Sequence, residues 1–271
     1  MPAQRNRRAA GPEPKPQRVV VGGTPVDLCS PEEFVELTTR WAEQGRRSSM
    51  VGVNAHVVNT AAKNPAFAAA VIASDLLYPD GQSVVWAARA LGHQPRGRVP
   101  LTHMTDAMCS AWAAAGLRVF LLGGKPGVAQ RAGERLAQDY GLRIAGIRDG
   151  YFLGANEQVI AEINLSGADI LLVGMGNPRQ ELWLHDHRDR LRPAVAITCG
   201  GWLDWTAGER QPCPPWIYRY GLEWAYRLGQ EPRRLFKRYV VGNPQFVYRV
   251  ARQKLSGDRV ADPGSREDGR R

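Results

Sequence analysis

Apolar residues along this chain come in short bursts rather than long stripes. Six runs read as strands: SMVGVNA (49–55), DLLYP (75–79), RVFLLGG (118–124), LRIAGI (142–147), ADILLVGMG (168–176) and AVAITCG (194–200). Several are apolar on consecutive residues, the pattern of strands covered on both faces. Longer amphipathic stretches lie between them, such as PGVAQRAGERLAQDY (126–140) and NEQVIAEINL (156–165). Strands alternating with helices predict βαβ units and a mostly parallel sheet with helices on both faces, an α/β fold.

The pattern changes after Gly200. ERQPCPPW is proline-rich and ends the alternation. Beyond it, WIYRYGLEWAYRLGQEPRRLFKRYVVGNPQFVYRVARQKL interleaves aromatics with arginines and reads as helices broken near Pro232 and Pro244. The expected organisation is a basic disordered tail (1–18), an α/β domain (19–205), a basic, aromatic-rich helical appendage (206–255) and a second polar tail (256–271).

Composition narrows the setting. No apolar run is long enough to predict a transmembrane helix. The start, MPAQRNRRAAGPEPKPQR, lacks the apolar centre of a secretory signal. Cys29, Cys109, Cys199 and Cys213 are far apart and form no CxxC, which argues against a zinc site or disulfide framework and fits a reducing cytoplasm. The net charge of +10 favours anionic partners: nucleic acid, phosphorylated small molecules or an acidic membrane face.

In open parallel sheets ligands bind beyond the carboxyl ends of the strands. Three junctions place polar groups there: Asn54-Ala55-His56, Pro79-Asp80-Gly81-Gln82, and the stretch from Gly174 to Arg188. Gly123-Gly124-Lys125 and Gly174-Met175-Gly176 are turns in which backbone N–H groups can approach phosphate, or simply tight strand–helix connections. The second reads GxGxxR, and neither is a Walker A loop. Asp80 is either a helix N-cap or a carboxylate offered to a cleft as general base. His185 and His187 diverge on a helix and make a poor metal pair. No Asp-x-Asp occurs, which removes one common way of holding a divalent ion on a nucleotide diphosphate.

These junctions occur with VNAHVVNTA, YPDGQSVVWAARALG, RVFLLGGKPGVA, ILLVGMGNPRQELW, CGGWLDWTAG and GLEWAYRLGQEPRRLFKRY, in that order. Over about residues 20 to 250 the sequence resembles the WecG/TagA/CpsF family of bacterial glycosyltransferases. The resemblance implies a Rossmann-like fold with its own strand order. It implies inverting transfer of a sugar, N-acetylmannosamine or a related hexose or uronic acid, from a UDP-sugar to a polyprenyl-diphosphate-linked acceptor. It places the protein peripherally on the inner face of the plasma membrane, serving cell-surface polysaccharide or teichoic acid synthesis. It assigns Asp80 as base, Arg98 as an active-site arginine, Asn54 and Gln180 to the pocket, and Arg227, Arg234 and Lys237 or Arg238 to the diphosphate. Gly81, Gly123, Gly124, Gly174 and Gly176 are expected to let substrate approach the backbone.

The sequence departs from the family at three places. Gly52 replaces a hydroxyl residue, VPLTH follows Arg98, and Pro212-Cys213-Pro214 stands where Arg-Ala-Pro is expected.

Without a metal motif, the appendage cations are expected to stabilise the leaving UDP, with no cofactor. Arg179 is left between phosphate and surface, and Glu181 between a helix cap and a pair with Arg179. The expected partners are the donor, the lipid-linked acceptor and an anionic membrane; self-association through the surface that the appendage would cover is kept as an alternative. A nucleotide-binding oxidoreductase would need GxGxxG and a following acid, both absent. A non-enzymatic nucleic-acid binder would need a recognisable module, and none is evident.

Overall fold

The computed structural model describes residues 16–210 and 213–256. Most of both expected tails, and Pro212 among the departures, lie outside the described residues. The chain opens with a feature that the hydrophobic pattern did not flag. Strands β1 (Arg18–Val21) and β2 (Thr24–Asp27) form an antiparallel hairpin. Gly22 and Gly23 turn it at φ 59° and 86°, the left-handed pair that matches strand twist in a two-residue turn. The buried Asp27 carboxylate accepts from Arg18 Nε at 2.7 Å and from the Leu77 backbone N–H at 2.7 Å, which fastens the hairpin to the sheet edge.

The main body follows as α1 (Pro31–Glu43), β3 (Ser48–Val53), α2 (Ala55–Ala61), α3 (Pro65–Ile72), β4 (Leu76–Pro79), α4 (Gln82–Ala90), α5 (Thr105–Ala114), β5 (Arg118–Gly123), α6 (Val128–Tyr140), β6 (Arg143–Arg148), α7 (Asn156–Ser166), β7 (Ile170–Gly174), α8 (Arg179–His187), β8 (Val195–Thr198) and α9 (Trp202–Thr206). The sheet order is β4-β3-β8-β7-β5-β6, and every neighbouring pair is parallel. All six expected strands are present. β5 connects outward to β6 while β7 connects inward to β8, so their carboxyl ends flank a topological switch point.

Alternation along the strands builds the two core layers. Ile170 and Leu172 of β7 join Val119 and Leu121 of β5 under α1, α5, α6 and α9. Leu171 and Val173 join Phe120 and Leu122 on the opposite face, under α7 and α8. There, Val51 and Val53 of β3 pack beneath α2, α3, α4 and the hairpin.

Past the sheet come α10 (Pro215–Arg219), α11 (Glu223–Gln230), α12 (Pro232–Phe236), a wide π-helical turn over Lys237–Val241, and α13 (Gly242–Ser256). Pro232 begins a helix as expected. Pro244 does not break one: helical turns run on from the wide π-helical turn through Pro244 into α13. α13 is anchored to the main body. Phe246 and Val250 are buried beside the hairpin, and Gln253 accepts from Gly22 N–H at 2.7 Å and donates to the Val20 carbonyl at 2.9 Å. Among the described residues no helix is long and apolar enough to cross a membrane.

Phe246→Ala should therefore cost about 3–5 kcal/mol of stability in urea unfolding, whereas Tyr248→Ala, on the exposed side of the same helix, should stay within about 0.5 kcal/mol.

Candidate active site

The carboxyl ends of the strands open into a cleft of 1850 Å³. That exceeds the roughly 300–1,000 Å³ typical of a single small-molecule site, which leaves room for two substrates. One wall is the main body and the other is the segment from Gly221 onward.

Asn54 ends β3 and caps α2. Its Oδ1 accepts from the backbone N–H groups of His56 and Val57 at 3.1 and 3.2 Å. Its Nδ2 is thereby turned outward and donates to Asp80 Oδ2 at 3.0 Å. Asp80 ends the neighbouring strand. The residue capping α4 is Gly81, with no side-chain cap bond, so the Asp80 carboxylate is not engaged as an N-cap. Gly81 itself allows the close approach, since a Cβ there would sit 2.8 Å from Asn54 Cβ. Arg98 Nε donates to the Asp80 carbonyl at 2.9 Å and fixes the backbone that presents the carboxylate.

Arg98 also reaches across the cleft. Its Nη2 pairs with Glu223 Oε2 at 2.5 Å, and Arg227 Nη1 lies 3.8 Å from the other oxygen. Burial pushes the Glu223 carboxyl up, but the two guanidiniums outweigh it and hold it below its ordinary value. His103, next to this group, is held low chiefly by burial, against the pull of Glu223. The sequence pattern passed over Glu223; the signal was the single acid of α11, at its head and one turn before Arg227.

The glycine turns meet at the switch point. A Cβ on Gly123 would fall 2.3 Å from the Gly174 carbonyl oxygen, so β5 and β7 can end side by side only because Gly123 has none. Gly123 thus stands behind the cleft, while Gly124, Gly174 and Gly176 line it. Gln180 is buried. Its Oε1 accepts from both Gly176 and Gly200 N–H at 3.1 Å, and its Nε2 donates to Glu181 at 2.8 Å. It braces the loops after β7 and β8 and forms part of the wall, with its amide already engaged. Glu181 neither caps α8 nor pairs with Arg179: it is buried against Gln180, while the exposed Arg179 lies 5.5 Å over the Phe152 ring.

The four cations expected from the appendage line the cleft, together with Arg210 and Lys254. Arg227 lies 5.2 Å over Trp205 as well as beside Glu223. Arg234 pairs with Glu231, which also meets Arg210 at 3.4 Å. Lys237 lines the cleft and is exposed. Arg238 is half-buried, with its Nε fully enclosed. Burial lowers its proton affinity, as do Arg227 and Arg234, while Tyr239 and Asp80 oppose them. His56, on the same wall, is pushed down to about 4 by burial, then by Arg238 and Lys63. Among the described residues no cluster of three or more His, Cys, Asp or Glu could hold a metal ion. All four cysteines are free and buried.

Gly52, the first departure, has a structural reason. A Cβ there would meet the Tyr78 ring at 2.9 Å, and Tyr78 is fixed by donating to the Thr198 carbonyl at 2.9 Å.

Glu223 is the buried acid that both Arg98 and Arg227 meet, and neutralising it removes the charge that offsets theirs. Glu223→Gln should cost about 3 kcal/mol in urea unfolding, and limited proteolysis should cut the chain near α11 faster. The contribution of Glu223 is complete above its ordinary value of 4.5 and is lost as pH falls through the lower folded value. The variant should show a flatter stability curve over that acid range.

A carboxylate at a strand end, glycine turns at a switch point and a wall of cations thus line one cleft. The model of the glycosyl transferase WecG/TagA/CpsF family matches residues 19–260, nearly the whole described chain, and the protein belongs to that glycosyltransferase family.

Proposed function

We propose that this glycosyltransferase moves a sugar, N-acetylmannosamine or a related hexose or uronic acid, from a UDP-sugar to a polyprenyl-diphosphate-linked sugar, with inversion and without a metal. The observation that carries the reading is Asp80: a carboxylate not used as a cap, oriented by Asn54 and exposed to Arg238 across the cleft. Asp80 takes the proton from the acceptor hydroxyl as that oxygen bonds to the anomeric carbon. The bond from this carbon to the diphosphate oxygen breaks on the opposite side, and UDP leaves with the bonding pair. Arg227, Arg234, Lys237 and Arg238 meet the charge that develops on UDP, as fixed groups that need no reorganisation during the reaction.

The acceptor would be delivered at the inner face of the plasma membrane. Trp216, Tyr220, Phe236, Val247 and Tyr248 are exposed on the appendage among basic residues, which suits an anionic interface where each cation contributes about 1 kcal/mol. Phe246, counted with these aromatics in sequence, belongs to the core instead.

Purified protein given a panel of UDP-sugars, a short-chain polyprenyl-diphosphate-GlcNAc acceptor and EDTA should release UDP from one donor only when acceptor is present. Asp80→Asn should melt normally and turn over about 10²–10⁴-fold more slowly. Near-normal turnover by that variant would remove Asp80 from the role. A second expectation concerns the appendage: full-length protein should sediment with anionic vesicles, and a chain ending near residue 211 should not. Equal sedimentation would assign membrane attachment elsewhere.

A further inference from the structure

Beyond Asp80 the cleft continues along α4, where Gln82 and Ser83, then Trp86 and Ala87, then Ala90 line it. These positions recur one helical turn apart, so they form one face of the helix. At about 1.5 Å per residue, the nine residues of α4 carry that face about 13 Å from the strand end. Its character changes on the way. It is polar beside Asp80 and apolar beyond Ser83, and none of these α4 residues is charged.

Trp86 is the informative residue on that face. It is 49% exposed, while Val84, Val85 and Ala88 make the core contact of the same helix. The fold itself does not require a half-exposed indole at this position. The appendage backbone packs against it. Gly221 stands at φ 70°, and a Cβ there would lie 2.9 Å from both Gln82 Cγ and Trp86 Cη2. The appendage therefore meets one edge of the ring and leaves the rest open. Tyr220 and Leu222, on either side of Gly221 in the chain, are exposed as well. The far end of the groove thus opens among apolar side chains from both the main body and the appendage.

We propose that the α4 groove takes the first isoprene units of the lipid-linked acceptor, with Trp86 as the side chain against which they pack. The assignment rests on the transferase reading above. An acceptor whose hydroxyl reaches Asp80 carries its sugar and diphosphate next and its hydrocarbon last. The groove offers the same order, with hydrogen-bonding side chains near the base and an apolar surface farther out. A nucleotide-sugar donor has no apolar tail to match that surface. Hydrocarbon laid on the open face of the indole removes apolar area of both from water, which is the driving force for the contact.

The test compares GlcNAc-diphosphate acceptors that carry a methyl or a farnesyl group, in solution without vesicles or detergent. The readout is the ratio of their kcat/KM values for acceptor-dependent UDP release by the full chain. Wild type should prefer the farnesyl acceptor about 10–100-fold, the range expected for burying one large apolar group. Trp86→Ala should lose most of that preference, and Trp86→Phe should keep most of it. Ala90→Glu, at an exposed helix position, should also reduce it by placing a charge at the apolar end. A wild type without the preference overturns the proposal, and so does an undiminished preference in a normally melting Trp86→Ala. Should that variant melt early, an undiminished preference in Ala90→Glu overturns it instead. A loss of equal size with both acceptors would move Trp86 to the sugar, and an intact preference with weaker sedimentation on anionic vesicles would make it a membrane contact; either result overturns the groove assignment. If neither acceptor elicits UDP release by wild type from any donor, the transferase reading itself fails.

Discussion

Glu223 carries its carboxylate into the space between Arg98 and Arg227, and the form of the cleft depends on that contact. Arg98 belongs to the main body and also holds the backbone of Asp80; Arg227 belongs to the appendage. One buried acid thus ties the residue that presents the proposed base to the helix that brings the cations. A buried ion pair adds little net stability compared with an apolar contact of the same size, but removing one partner is severe. That asymmetry makes the contact a device for registry. The appendage can close in a position where Glu223 meets Arg98, and alternatives that strand either charge are penalised.

A second constraint acts beneath the first. β5 and β7 end with Gly123 and Gly174 side by side, and no Cβ fits at Gly123. This close approach opens the switch point and lets the turns at Gly124 and Gly176 form the floor. Gln180 then joins the loop after β7 to the loop after β8 through two backbone N–H groups, so the floor is tied to the adjoining wall. On the far side, Gln253 and Phe246 hold α13 to the hairpin. The appendage is therefore fixed at its end by packing and at α11 by charge, and between them Leu235 is buried and Asn59 donates to the Gly242 carbonyl at 2.7 Å.

What the sequence disclosed follows from the range of each interaction. The strands of the parallel sheet were legible because burial on both faces leaves consecutive apolar residues, as in ILLVG of β7. The strand-end junctions were legible because fold class alone says where ligands gather. The hairpin was not, since its strands are only four residues long and Pro25 obscures one of them; Gly22-Gly23 was the available signal. The partners of Gln180, Glu181 and Glu223 were out of reach for a different reason. Each is set by a contact across the fold or by the orientation of a single amide, and neither leaves a period in the sequence. Asp80 lies between these cases: its place at a strand end was readable, but whether it capped α4 depended on Gly81 taking that position.

The placement of charge also explains how a strongly basic chain can hold a defined site instead of a diffuse anion-binding surface. Arg98 and Arg227 share Glu223, while Arg210 and Arg234 share Glu231, with Asp204 also on Arg210. These pairs set positions and leave only part of each cation's field for a ligand. Arg238 has no such partner among the described residues, lines the cleft half-buried, and has a buried Nε without a hydrogen bond. A guanidinium in that setting is poorly screened by water, so its interaction with a diphosphate is stronger than that of an exposed lysine such as Lys237. The electrostatics of the cleft are thus graded, from paired arginines that shape it to Arg238, which has no ion pair among the described residues.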